Sequence, residues 1–150
     1  IQALLPHEAP FIFLDEVSAL DPGEEACGVY VVPDHAFWTD AHFPKDPIFP
    51  GVLLIEALAQ VAAVIYLSAQ PDPHAHPVWL AGVDRVRFRS PVRPGDRLLL
   101  TVAATRKRKG FWIFEGRVSR GDEAIGEAKL RAAMGGEKGT PSSSSAKEPG

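Results

Sequence analysis

The sequence predicts an α+β domain, a curled antiparallel sheet of about six strands wrapped around one long central helix. The first observation is the run 52–69, whose only charge is Glu56 and whose neutral polar side chains are Gln60, Tyr66 and Ser68. Being apolar on nearly every face, it reads as a helix buried in the middle of the domain. The second is that two strand-like runs precede it and four follow, with hardly a helical pattern among them. The third is that one open sheet leaves part of such a helix uncovered, so pairing with a second copy is expected.

Taken in order, Leu4-Pro6-His7 and Pro10 make a stiff opening before a strand at 11–20, closed by Asp21-Pro22-Gly23. A second strand, rich in β-branched residues, spans 26–32 and stops at Pro33-Asp34. In the short stretch 35–41, Phe37 and Trp38 are expected to anchor a loop on the core. Pro44, Pro47 and Pro50 forbid a regular helix or central strand, placing His42 on a constrained loop. The helix starts at Gly51 and runs for about 18 residues, or about 27 Å, until Gln70-Pro71-Asp72-Pro73 ends it. After a loop at 74–77, strands are expected at 78–90, 97–105, 111–119 and 124–134, with turns at 91–95, 107–110 and 120–123. Residues 1–134 form one domain on this reading, and the Gly/Ser-rich tail at 135–150 is expected to be disordered.

Composition narrows the function. A chain of 150 residues, 45% apolar and 23% charged, can bury a real core. Its net charge of −3 gives no global basic field, so a nucleic-acid partner is not expected. The single cysteine, Cys27, allows no internal disulfide and fits a reducing, cytoplasmic compartment. No signal peptide is visible in IQALLPHEAP, and the chain opens on Ile, which leaves its true start open. The run 52–69 is long enough for a membrane span, but Glu56, Gln60 and the lack of flanking belts argue against one.

Three residues stand out as candidates for chemistry. His42 sits on the proline-braced loop with Phe43 beside it to keep the surroundings dry; a neutral imidazole in such a place can act as a base. The bland reading is a structural histidine. Glu56 is a carboxylate among Leu53, Leu54, Ile55, Ala57, Leu58 and Ala59; buried without a cation, it would hold a proton to donate. Its bland reading is a carboxylate satisfied by solvent or an arginine. Gln60, one turn on, shares its face and could orient it. Gly51 would present an unpaired N–H at the positive end of the helix dipole, a one-residue oxyanion hole, or simply be a turn glycine after proline.

Other signals are weaker. His74 and His76 stand between prolines without nearby ligands beyond Asp72, so no metal is expected. His7 and His35 have no identifiable partner, and Arg120-Gly121-Asp122 is explained by a hairpin turn. Nine of the sixteen basic residues lie between Arg85 and Lys109, with Asp84 and Asp96 the only acids there. Arg85, Arg87, Arg89 and Arg93 therefore form either a solvated strand face or a dock for an acidic partner.

The run His42-Phe43-Pro44, Pro47, Pro50-Gly51-Val52, Glu56-Ala57-Leu58-Ala59-Gln60 resembles the signature of bacterial β-hydroxyacyl-(acyl-carrier-protein) dehydratases of the FabZ type. Supporting matches are Leu5-Pro6-His7-x-x-Pro10-Phe11, Leu80-Ala81-Gly82-Val83-Asp84, Phe88, Pro91-Val92, Pro94-Gly95-Asp96 and Gly110-x-Trp112-x-Phe114-x-Gly116. Ala41 and Lys45 stand where the family commonly has glycine. The resemblance implies the hotdog fold and a homodimer, or a trimer of dimers, with the active site at the dimer interface. It implies that His42 removes the C2 proton of a 3-hydroxyacyl thioester, that Glu56 protonates or orients the departing C3 hydroxyl, and that the Gly51 amide holds the carbonyl. It further implies no cofactor or metal, an acyl carrier protein bearing the phosphopantetheine-linked substrate as partner, and a place in fatty-acid or related lipid or polyketide biosynthesis. The rival expectations are a hotdog acyl thioesterase and a non-catalytic acyl-binding hotdog subunit.

Overall fold

A helix that is apolar all round must be covered on several sides, and a curled sheet can do that. The computed structural model describes residues 3–135. Among these, six strands and one α-helix are present: β1 (Glu16–Asp21), β2 (Glu25–Val31), α1 (Gly51–Ser68), β3 (Val78–Phe88), β4 (Arg97–Arg108), β5 (Phe111–Arg120) and β6 (Glu123–Met134). A single 3-10 turn, Pro73–Ala75, lies in the loop after the helix. The strands make one antiparallel sheet in the order β1-β2-β4-β5-β6-β3, so β1 and β3 are its edges.

The core forms where the inner face of the sheet meets α1. In β4 the inward residues Leu98, Leu100 and Val102 alternate with outward ones, and Phe114, Val118, Ile125 and Leu130 extend the same layer. Twelve of the 18 residues of α1 are buried. The helix is long and apolar enough to cross a membrane by length and composition, but the sheet wraps it as a core helix. What the sheet leaves open is a stripe: Val52 is exposed, and Ile55, Glu56 and Ala59 are half-buried. These positions recur at helical spacing, so the open surface is one face of the N-terminal half of α1.

Several boundaries differ from the sequence reading. The strand expected at 11–20 begins only at Glu16. Phe13 and Leu14 are buried, but the Phe13 N–H and the Phe11 carbonyl bond to the side chain of Gln60 instead of to a neighbouring strand. The strand expected at 97–105 continues to Arg108, and the 107–110 turn shrinks to Lys109-Gly110, with Gly110 at φ +77°. In β3, register shifts after Leu80 and after Asp84 insert one residue each, and Arg85 in the second bulge has φ +51°. The bulge interrupts the inward–outward alternation of the strand, leaving Phe88 51% exposed. A further register shift interrupts the β5–β6 pair at Val118/Ser119, and Ala124 near the start of β6 is exposed.

Arg120 opens the 120–123 hairpin turn and ties it to the 91–96 turn. Its guanidinium donates to Asp96 (2.6 Å) and Glu123 (2.7 Å), and these bonds, Glu123's first, hold its proton more tightly than an ordinary arginine's. Bonds from Arg120 and then Ser90 hold the Glu123 carboxyl below the usual range. The predicted tail lies outside the described residues beyond Gly135, whose N–H donates to the Pro77 carbonyl (3.1 Å).

Gly28 of β2 packs tightly against both the N-terminal segment and the helix. A Cβ there would lie 2.4 Å from Cδ1 of buried Leu14 and 3.0 Å from Cγ2 of buried Val61. Gly28→Ala is expected to destabilise the fold by about 1–3 kcal/mol, read as a lower urea midpoint at unchanged m-value.

Candidate active site

The loop that leads into α1 is held by its own backbone. Thr39 Oγ1 donates to the Ala36 carbonyl (2.8 Å) and accepts from the Ala36 N–H (3.3 Å). Trp38 is buried against Phe49, and its carbonyl accepts from the N–H groups of Ala41 (3.1 Å) and His42 (2.9 Å). Phe37 is not the second anchor expected: it is 57% exposed, because this tight turn points only one of the two adjacent aromatics inward.

His42 closes the loop onto Ile48 twice. Its carbonyl accepts from the Ile48 N–H (2.8 Å), and its ring Nδ1 lies 2.9 Å from the Ile48 carbonyl. A carbonyl can only accept, so Nδ1 carries a proton, and in the neutral ring Nε2 is the nitrogen with the lone pair. The His42–Phe43 peptide is cis. Phe43 stacks on the imidazole at 4.2 Å but is itself 50% exposed, so it shields one face of the ring instead of enclosing it in a dry pocket. Ala41 needs no left-handed backbone: among the described non-glycine residues only Arg85 has a positive φ. Lys45 is exposed at the loop tip, between Phe43 and Asp46, whose backbones bond each other at 3.2 Å.

Glu56 lies on the open stripe of α1, in a small cleft of about 100 Å³ that it lines with His7, Ala59, Ala63, Trp79 and Leu80. Its side chain is 23% exposed and not isolated, contrary to the expectation of a buried carboxylate without a partner. His7 Nε2 lies 3.2 Å from its Oε1, and Gln60 Nε2 donates to the same oxygen at 3.2 Å. Gln60 has no freedom to turn over. Its Oε1 accepts from the Phe13 N–H (2.9 Å), its Nε2 donates to the Phe11 carbonyl (3.1 Å), and it is 1% exposed. No partner for His7 is legible in the sequence; Pro6 and Pro10 announce a stiff segment there, but nothing local says that it folds back over α1.

At its start α1 has Pro50 as N-cap and no side-chain cap. The Pro50 carbonyl accepts from Leu53 (2.9 Å) and Leu54 (3.4 Å), while no hydrogen bond among the described residues uses the Gly51 N–H. That donor sits at the positive end of the helix dipole, beside a cleft lined by Ile48, Gly51, Phe88 and Val92. A Cβ on residue 51 would come within 2.8 Å of the Phe88 ring, so packing against β3 also requires the glycine. Within one chain His42 and Glu56 are not brought together: neither cleft is lined by both, and no hydrogen bond or ion pair of the described residues joins them.

The arginines expected to dock a partner are less free than the sequence suggests. Arg87 and Arg89 approach Glu127 at 3.9 and 3.0 Å, and Arg93 approaches Asp46 at 3.2 Å. These carboxylates come from β6 and the His42 loop, remote in sequence. A cationic excess survives on the outer face of the sheet, where Arg85, Arg87, Arg117 and Lys129 surround a groove shared with only Glu115 and Glu127. His76 packs edge-on against Tyr66, and no cluster of three or more potential metal ligands occurs among the described residues.

Residues 5–129 match the family model described as a FabA-like domain. The chain belongs to that family. A curated relative, the 3-hydroxyacyl-(acyl-carrier-protein) dehydratase FabZ of Chloroflexus aggregans, is 42% identical over 134 residues, 89% of this chain and 92% of the relative. The enzyme of the same name from Campylobacter lari is 37% identical over 137 residues, 88% of this chain and 92% of the relative. Among solved structures, the dehydratase heterocomplex ApeI:P from Xenorhabdus doucetiae aligns with a TM-score of 0.74 over 89% of this chain and 90% of that one. At 22% identity that likeness speaks for the fold, and the fold is the hotdog expected from the sequence.

The Gln60 clamp predicts its own energetics. Gln60→Leu keeps the volume but strands the buried Phe13 N–H and the Phe11 carbonyl, which is expected to cost about 1–3 kcal/mol. Urea denaturation reads the loss, and faster hydrogen exchange at the Phe13 amide locates it.

Proposed function

We propose that this chain dehydrates 3-hydroxyacyl thioesters borne on the phosphopantetheine arm of an acyl carrier protein, giving trans-2-enoyl thioesters for fatty-acid or related lipid or polyketide synthesis. The observation that carries this reading is the open stripe of α1, where one oriented carboxyl stands in an otherwise apolar face beside a cleft. Elimination next to a thioester needs a base, an acid and a donor for the carbonyl oxygen, all without a change of oxidation state.

The residues divide that work. His42 Nε2 takes the C2 proton, and the unpaired Gly51 N–H receives the negative charge that spreads onto the thioester oxygen. Glu56 gives its proton to the C3 hydroxyl as the carbon–oxygen bond breaks, so that water leaves. The proton gained by His42 then returns to Glu56 through solvent, and both groups are reset. Gln60 orients Glu56, and Phe43 borders the substrate entrance.

The base and the acid meet only across two copies on this reading. The edge strand β3 carries exposed Trp79, Leu80 and Phe88, and the open stripe adds Val52, an apolar surface suited to a homodimer formed by sheet continuation. Each site then takes His42 from one subunit and Glu56 from the other. The cationic groove around Arg85 and Arg87, with Arg89 reaching Glu127 at its rim, offers an acidic carrier a landing surface; Arg93, held by Asp46 of the His42 loop, is not part of its lining. A cytoplasmic setting, consistent with the lone Cys27, completes the proposal.

A 3-hydroxyacyl thioester on carrier protein is expected to give the absorbance of a conjugated enoyl thioester; release of free thiol without it would reject dehydration in favour of hydrolysis. His42→Ala and Glu56→Gln are each expected to lower kcat/KM by about 10²–10⁴-fold. Refolding the two inactive variants together tests the shared site. Mixed dimers carry one intact site and one doubly altered site, so activity should return to about one quarter of the wild-type value in a two-fold dimer. No recovery would show that each site is built from one chain.

A further inference from the structure

The imidazole of His7 is placed with one nitrogen on the proposed acid and the other sealed from solvent. Nε2 lies 3.2 Å from Glu56 Oε1, while Nδ1 is buried without a hydrogen-bond partner among the described residues. A proton on Nδ1 would leave a buried donor unpaired, and as a second proton beside an Nε2–H it would also make the ring an imidazolium, whereas a bare Nδ1 lone pair is the milder loss. The sealed nitrogen therefore selects the neutral ring protonated on Nε2. The second donor to Oε1 is unambiguous, because the Phe13 N–H and the Phe11 carbonyl together fix which end of the Gln60 amide is nitrogen.

We infer that His7 is a positioning residue for Glu56, acting as a neutral Nε2–H donor that, with Gln60, occupies Oε1 and makes Oε2 the oxygen that holds and releases the proton. Two N–H groups on one oxygen fix the carboxyl plane as well as its polarity. They also support the anion that remains on Oε1 once the Oε2 proton has gone to the departing hydroxyl. His7 itself neither gains nor loses a proton in the cycle. Its place is set by the segment Pro6–Phe13, whose far end is tied to the same Gln60, so one short piece of chain holds both donors. This role rests on the dehydratase reading, while the hydrogen bond and the tautomer do not.

Two measurements separate these points. In wild-type protein with ¹⁵N-labelled histidine, the His7 signals, assigned by their loss in His7→Leu, should show Nε2 protonated and Nδ1 bare. A doubly protonated ring or the opposite tautomer overturns the inference, whatever the activity. In the enoyl assay His7→Leu should lower kcat by on the order of 10²-fold with KM within about twofold. His7→Gln, which returns a neutral N–H near the Nε2 position, should regain most of it. Unchanged kcat in a folded His7→Leu, or no rescue by His7→Gln, overturns the positioning role. Wild-type protein that forms no enoyl product overturns the dehydratase reading instead, and the tautomer measurement then decides the hydrogen bond alone.

Discussion

The amide of Gln60 is the interaction on which the site and much of the fold depend. An amide in a buried helix must find partners for both ends, because water is excluded and an orphaned group is expensive. Here the partners are the backbone of 11–13 on one side and the Glu56 carboxyl on the other. The same bonds thus fasten the N-terminal segment over α1 and set the orientation of the proposed acid. Apolar packing cannot do this, since it is indifferent to rotation about χ3 of a carboxylate side chain. A neutral amide in the core is a small departure from an oil-like interior, and it gives the helix a defined polarity at one point of its surface.

The parts of the fold legible in the sequence are those that periodicity governs. The helix was marked by an apolar run with proline at both ends, and its observed span agrees closely with that reading. The five strands from β2 onward were legible because turn residues and alternation bounded them. What local pattern could not show was where a backbone group finds a nonlocal partner. Residues 11–14 have the composition of a strand, yet the segment pairs with a glutamine 47 positions away for Phe13, so no ladder forms there. Bulges in β3 are invisible for the same reason, since only the partner strand reveals an extra residue. His42, Glu56, Gln60 and Gly51 were singled out by residue type and neighbours. His7 was not, because its partner lies 49 residues on, and neither residue hints at the other.

The charged surface gives a parallel lesson. Counting acids near the arginines along the chain suggested a nearly bare basic patch. In an antiparallel sheet, though, the neighbours of a residue lie on the adjoining strand, and Glu127 of β6 stands beside Arg87 and Arg89. Exposed pairs of this kind contribute little to stability, but they lower the local field and make it directional. What remains is a groove with four cations against two carboxylates, narrower than the sequence patch and more specific in shape.

The way each proposed catalytic group is held bears on how a site can be assembled from two chains. His42 is fixed by Ile48, Trp38 and Phe43, all within six residues of it. Glu56 is fixed by Gln60 and His7, again from its own chain. Neither set borrows from the other, so both groups are oriented before any second copy arrives. Docking then has only to bring two rigid surfaces into register, and the ordering entropy of the reactive side chains has already been met during folding. A site whose histidine and carboxylate braced each other would lose both orientations whenever the copies separated. On the two-chain site proposed above, the open stripe on α1 and the bulged edge of β3 would present a finished half-site, and catalysis would then depend on the register of one interface.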